Sequence, residues 1–174
     1  AQIADHVPIR GCKTESLIGR FRRWVKHDTI TLDDYWLPIA RALVASLASA
    51  PLTLLLDGTV AGRGCVVLMA SVVSHGRAIP LRWTVVKGKK GHLPQAAHCT
   101  LINQVRTIIP VGATVLVLGD GEFDGTDLQA TITAAGWQYV CRTAINILIT
   151  AHDRVFTVGT LPISPILAMP GWRA

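Results

Sequence analysis

Two aspartates in this chain stand where apolar runs stop. Leu52-Thr53-Leu54-Leu55-Leu56 ends in Asp57-Gly58-Thr59, and Thr114 to Gly119 (TVLVLG) ends in Asp120. Short apolar runs of this kind read as buried strands, so each acid is presented at a strand end. If the two strands are parallel neighbours, their carboxyl ends share the edge at which open α/β sheets place ligands. Two carboxylates there, with no Lys or Arg nearby in sequence, repel each other unless a cation intervenes. Mg²⁺ suits such a pair, being a hard ion held by one or two carboxylates together with phosphate oxygens and water. Two such ions roughly 3.5–4 Å apart activate a nucleophile and stabilise the leaving oxygen in phosphodiester chemistry. The alternative is that each Asp caps a turn or a helix start.

The elements that must position this pair follow from periodicity. Residues 14–27 carry Leu17, Ile18, Phe21, Trp24 and Val25 at helical spacing, with Thr14 as a cap. A second helix is expected from Thr31, with Asp33 and Asp34 in its first turn, through Trp36, Ile39, Leu43 and Leu47; Pro38 falls early enough to be tolerated. After Pro51 the pattern becomes that of strands. Leu52–Leu56 is followed by Cys65–Val73, a hairpin turn at Ser74-His75-Gly76-Arg77, and Ala78–Val86 with Pro80 at an edge or bulge. A basic loop (Lys87-Gly88-Lys89-Lys90-Gly91) leads to a helix over 94–109, the strand 114–119, a helix over 124–135 stopped by Gly136, and a fifth strand over 137–142. The expected order is helices, then β-β-β-α-β-α-β: an α/β mixed sheet covered by helices.

The chain has 174 residues, half of them hydrophobic, which excludes disorder. Lys and Arg number 17 against 11 Asp and Glu, a formal charge of +6 that suits an anionic partner such as nucleic acid. The acids are uneven: five precede Asp57, six run from Asp57 to Asp153 and none follows. Cys12, Cys65, Cys99 and Cys141 are scattered without a C-x-x-C pair, which reads as reduced, buried thiols in a cytoplasmic protein. No signal peptide is legible, since Asp5, His6 and Arg10 interrupt the opening residues. Residues 42–56 are too short to span a bilayer, and 155–172 carry Pro162, Pro165 and Pro170, so no membrane is expected.

At its two acidic motifs the sequence resembles DDE-type insertion-sequence transposases, over roughly residues 14–158. Leu54-Leu55-Leu56-Asp57-Gly58-Thr59 resembles the segment of the first catalytic acid. Val117-Leu118-Gly119-Asp120-Gly121-Glu122-Phe123-Asp124 resembles the D-R-E-x-D stretch of the second, with Gly121 in place of Arg. Trp137 to Arg142 resembles the following strand, and Gly19-Arg20-Phe21-Arg22-Arg23-Trp24 the helix that precedes the catalytic domain.

The resemblance implies an RNase H-like catalytic core over 51–150, an N-terminal helical segment over 1–50 and the start of an inserted β-rich segment over 151–174. It implies a DNA transposase that cleaves transposon ends and transfers strands on double-stranded DNA, working as a homodimer, with Asp57 and Asp120 holding Mg²⁺ or Mn²⁺. The family's third ligand is a Glu on a later helix. Here the only Glu residues are Glu15 and Glu122, neither of which fits that place, and Asp153 comes too early. Tyr139, Arg142 and Asn146 mimic the spacing of the family's Tyr/Arg/Glu signature but precede the helix that carries it. The third carboxylate is therefore expected beyond residue 174, in a chain that is a fragment at both ends and inactive alone.

Two other readings compete. Asp57-Gly58-Thr59 and Gly119-Asp120-Gly121-x-x-Asp124 are also similar to haloacid-dehalogenase-type phosphatases, but the nucleophilic Asp that these need two residues before the Asp of D-G-T is Leu55 here. The third reading is a non-catalytic DNA-binding remnant of a transposase. For DNA contact, Arg20, Arg22, Arg23 and Lys26, interleaved with Phe21 and Trp24, are candidates, as are Lys87, Lys89 and Lys90 in their glycine-flanked loop. Solvated helix and turn charges are the alternative at both places. Glu122 and Asp124, beside Asp120, could hold an outer-shell water or cap the next helix, and capping is favoured because Asp124 precedes helical spacing; His75, His92, His98 and His152 are read as ordinary surface or core histidines.

Overall fold

A computed structural model describes residues 11–151 and 154–160. Helix α1 spans Thr14–Val25; α2 (Leu32–Tyr35) and α3 (Leu37–Leu47) follow. Strands β1 (Leu52–Gly62), β2 (Cys65–Ser74) and β3 (Arg77–Lys87) precede α4 (Gln95–Arg106), β4 (Val115–Gly119), a 3-10 turn at Gly121–Phe123, α5 (Thr126–Ala134) and β5 (Gln138–Cys141). A hairpin of β6 (Leu148–Ala151) and β7 (Arg154–Thr157) closes the described part. Most of the segment expected to begin an inserted β-rich region, residues 161–174, lies outside the described residues, as do Asp153 and His152. No described helix is long and apolar enough to cross a membrane.

The α/β expectation holds: five strands form a mixed sheet in the order β3-β2-β1-β4-β5. β1, β2 and β3 are joined as antiparallel hairpins, whereas β4 runs parallel to β1 and β5 parallel to β4. The β2–β3 turn has positive φ at both His75 (49°) and Gly76 (71°), the left-handed pair that matches strand twist in a two-residue hairpin. Pro80 falls where the β2–β3 register shifts, on the edge strand, which spares the sheet the N–H that proline lacks.

Burial alternates along β1: Leu52, Leu54, Leu56 and Gly58 are buried, while Thr53 and Leu55 are half-buried and Asp57 is exposed. The buried set meets Val66, Leu68, Ala70 and Val72 of β2, Val115 and Val117 of β4, and Leu101, Ile102 and Val105 of α4 in one core. Ala40 and Val44 of α3, Leu81 of β3, Ile108, Ile109, Phe123, and Leu128 and Ile132 of α5 complete it. On the other face Leu55, Val67, Met69, Leu116 and Leu118 are half-buried and stand outside that core.

Three local expectations are corrected. The helix expected from Thr31 breaks at Trp36: Thr31 caps α2 by accepting from the Asp34 N–H at 3.1 Å, then Pro38 starts α3 anew in its first turn, where its missing N–H costs nothing. Thr14 is the first residue within α1, and the cap position belongs to Lys13, with no side-chain hydrogen bond. β1 does not end at Asp57 but continues to Gly62, because its pairing with β2 outlasts its pairing with β4.

Candidate cation site at the sheet edge

The parallel pairing of β1 and β4 sets the geometry. Leu55 lies opposite Leu118, and each is followed two residues later by an acid, so Asp57 and Asp120 stand at one level on neighbouring strands. Adjacent strands lie about 4.8 Å apart, which brings the two backbones within reach of a shared ligand. Asp120 leaves β4 in extended conformation and caps the 3-10 turn, its Oδ1 accepting from the Glu122 N–H at 3.0 Å. Asp57 Oδ2 accepts from the Thr59 hydroxyl at 3.0 Å. Both acids are exposed.

A cation of the chain does reach Asp57: Lys90 Nζ lies 3.6 Å from Asp57 Oδ1. No Lys or Arg was expected near the acids in sequence, and it is the loop after β3 that brings this one to the end of the sheet where Asp57 stands. Both partners are about half exposed, so the attraction is weak and exchangeable. Lys89 lies exposed in the same loop, and Lys87 exposed at the end of β3. The loop thus brings Lys90 to the acids. Arg20, Arg22, Arg23 and Lys26 are exposed along α1, and among the described residues none forms an ion pair. Of the aromatics between them, Phe21 is half-buried; Trp24, 52% exposed, meets Tyr35 edge-on at 6.4 Å.

The capping role expected of Glu122 is corrected, and its burial was not foreseen from the sequence. Glu122 caps nothing. Its side chain is 5% exposed and turns inward, where a Cβ on Gly58 would fall 2.8 Å from Glu122 Oε2. His98 of α4, 3% exposed, places Nε2 4.0 Å from Glu122 Oε1, and its ring stacks at a tilt on Phe123 with centroids 4.9 Å apart. Burial lowers the His98 pKa from its ordinary value, an effect the Glu122 charge only partly opposes. The signal in the sequence was Gly58 itself, since a glycine inside a strand marks close approach of another group.

Asp124 does not cap α5 either. Its Oδ2 accepts from the Thr143 hydroxyl at 2.7 Å, and the first turn of α5 is held instead by Gln95 of α4, whose Oε1 accepts from the Asp127 N–H at 2.9 Å. Nearby, burial and the charges of Asp124 and Asp120 push the Cys141 thiol up from its ordinary pKa, against a backbone hydrogen bond at Gly119. The four cysteines are free and half-buried rather than fully buried. His75 and His92 are exposed.

The donor chemistry fits a hard divalent cation: two exposed carboxylates at one level, with a third carboxylate close by whose buried oxygens lack hydrogen-bond partners. Among the described residues no group of three or more His, Cys, Asp or Glu side chains is already gathered to hold a metal. A separate cleft of about 530 Å³ opens at the other end of β4 and β5, lined by Arg106, Pro110, Thr114 and Gln138, and it carries no acid. In comparisons with known proteins, no family model and no curated protein matches the chain.

Proposed function

We propose that the sheet is the RNase H-like core of a DDE-type DNA transposase, with Asp57 and Asp120 as two ligands of Mg²⁺ or Mn²⁺. The observation that carries this reading is the Leu55–Leu118 register, which levels the two acids at the carboxyl edge of neighbouring parallel strands. The β3-β2-β1-β4-β5 order, an antiparallel meander continued by two parallel strands, supports it. Bound there, the cation supplies activated water and stabilisation of the leaving oxygen at a DNA phosphate. Asp57 and Asp120 hold and orient it, and Thr59 fixes the rotamer of Asp57. Lys90 releases Asp57 and turns to a phosphate as DNA arrives. In this reading a further carboxylate completes the ligand set, and the protein acts as a homodimer in the cytoplasm on double-stranded DNA.

In the complete protein, Asp57→Asn abolishes end cleavage while DNA binding persists in a gel-shift assay. Retained cleavage removes Asp57 from the site. Residues 1–174 alone show little or no strand transfer, and robust Mg²⁺-dependent cleavage by them sinks the idea of a carboxylate supplied from elsewhere. One observation favours a second reading, a non-catalytic DNA-binding remnant: Lys90 Nζ stands 3.6 Å from Asp57, where a cation would bind. The phosphatase reading lacks its nucleophile, because Leu55 is paired within the sheet at the required position.

A further inference from the structure

Behind β1, three buried polar atoms face one another without a hydrogen-bond partner: Oε1 and Oε2 of Glu122, and Nε2 of His98. His98 Nε2 and Glu122 Oε1 lie 4.0 Å apart, too far for a hydrogen bond. Burying a carboxylate in this condition costs folding free energy that the pair does not return. Departures from local rules of this kind gather at functional sites. The position of this one is specific. Glu122 holds Asp120 through its own N–H, and its carboxylate lies against Gly58, the residue that follows Asp57. Its N–H thus meets the side chain of one candidate ligand, while its carboxylate, shielded from water, lies against the residue that follows the other.

We propose that Glu122 is a positioning residue of the cation site, lending a third negative charge from behind β1, with His98 keeping its carboxylate in place. The inference rests on the reading of Asp57 and Asp120 as cation ligands. The charge acts through a wall of low polarisability, where it is felt far more strongly than through water. Gly58 is the opening in that wall. Any side chain there would displace the carboxylate. His98 is packed on Phe123, which is fully buried, so its ring is a fixed backstop.

Calorimetric titration of the chain with Mn²⁺, paired with thermal melting, separates this role from a structural one. Glu122→Gln keeps the shape and removes the charge. The expected result is about tenfold weaker Mn²⁺ binding, the usual size of such an outer contribution, with Tm unchanged or raised. Undiminished Mn²⁺ affinity overturns the proposal whatever the Tm does. Should Glu122→Gln fail to fold, His98→Asn carries the test: weaker Mn²⁺ binding upholds the pair, and unchanged binding overturns it. Binding that Asp57→Asn abolishes but neither variant weakens removes this inference alone. Absence of Mn²⁺ binding, or indifference to Asp57→Asn, removes the cation site and this inference with it.

Discussion

Lys90 and Asp57 are a pair in which each partner is wanted elsewhere. At 3.6 Å and half exposed, their contact is worth little by itself, yet it places a positive charge where a cation would bind. Lys90→Gln is therefore expected to tighten Mn²⁺ binding and to weaken DNA binding at the same time. Titrations of both ligands check this, and movement of the two affinities in the same direction would mean that Lys90 serves only one of them. At this scale the sequence was partly legible. Asp57 and Asp120 were visible because each ends an apolar run. The Lys90 contact was not, since 33 residues separate it from Asp57 in the chain and only the fold of a glycine-flanked loop joins them.

The elements divide by which face of the sheet they supply. Val117 is fully buried in the core, whereas Leu116, its neighbour on β4, is half-buried on the other face. Replacing each with Thr should destabilise the protein unequally in denaturant unfolding. Val117→Thr buries an unpaired hydroxyl and costs about 1–3 kcal/mol, while Leu116→Thr costs no more than about 1 kcal/mol. Equal losses would mean that both faces are covered. The order of strands and helices along the chain and the irregularity at Pro80 were legible in the sequence, but this alternation was not, because TVLVLG is apolar on both faces. The helix ends were harder. The first turn of α5 is held by Gln95, from a helix some thirty residues earlier, so the local signal of Asp124 before a helical pattern pointed to the wrong residue. β1 outran its apolar run because strand length follows pairing with a partner, and β2 continues past the point at which β4 stops.

For the whole molecule, the charge of +6 gains a distribution. Four basic side chains lie exposed on α1 and at its C-terminal cap, and three at the end of β3 and in the loop from which Lys90 reaches Asp57. If all seven meet phosphates, the logarithm of the DNA association constant falls with the logarithm of salt at a slope of about −6. Anisotropy titrations across a range of salt concentrations measure it directly. A slope near zero would mean that neither group tracks the backbone, whereas a slope of about −3 would implicate one group alone. The composition alone pointed to an anionic partner; the fold sets seven of the 17 basic residues in two exposed groups, one at α1 and one at the end of β3 and its loop.

Gly58 and Glu122 occupy a single volume, since the Cβ that Gly58 lacks would stand 2.8 Å from the Glu122 carboxylate. Selection therefore acts on them together. A larger residue at 58 requires the end of the Glu122 side chain to move aside or residue 122 to shorten, so substitutions at the two positions are coupled. Among chains descended from a common ancestor, positions 58 and 122 should change as a couple, and a Gly58→Ala variant should recover its stability when Glu122→Ala is added.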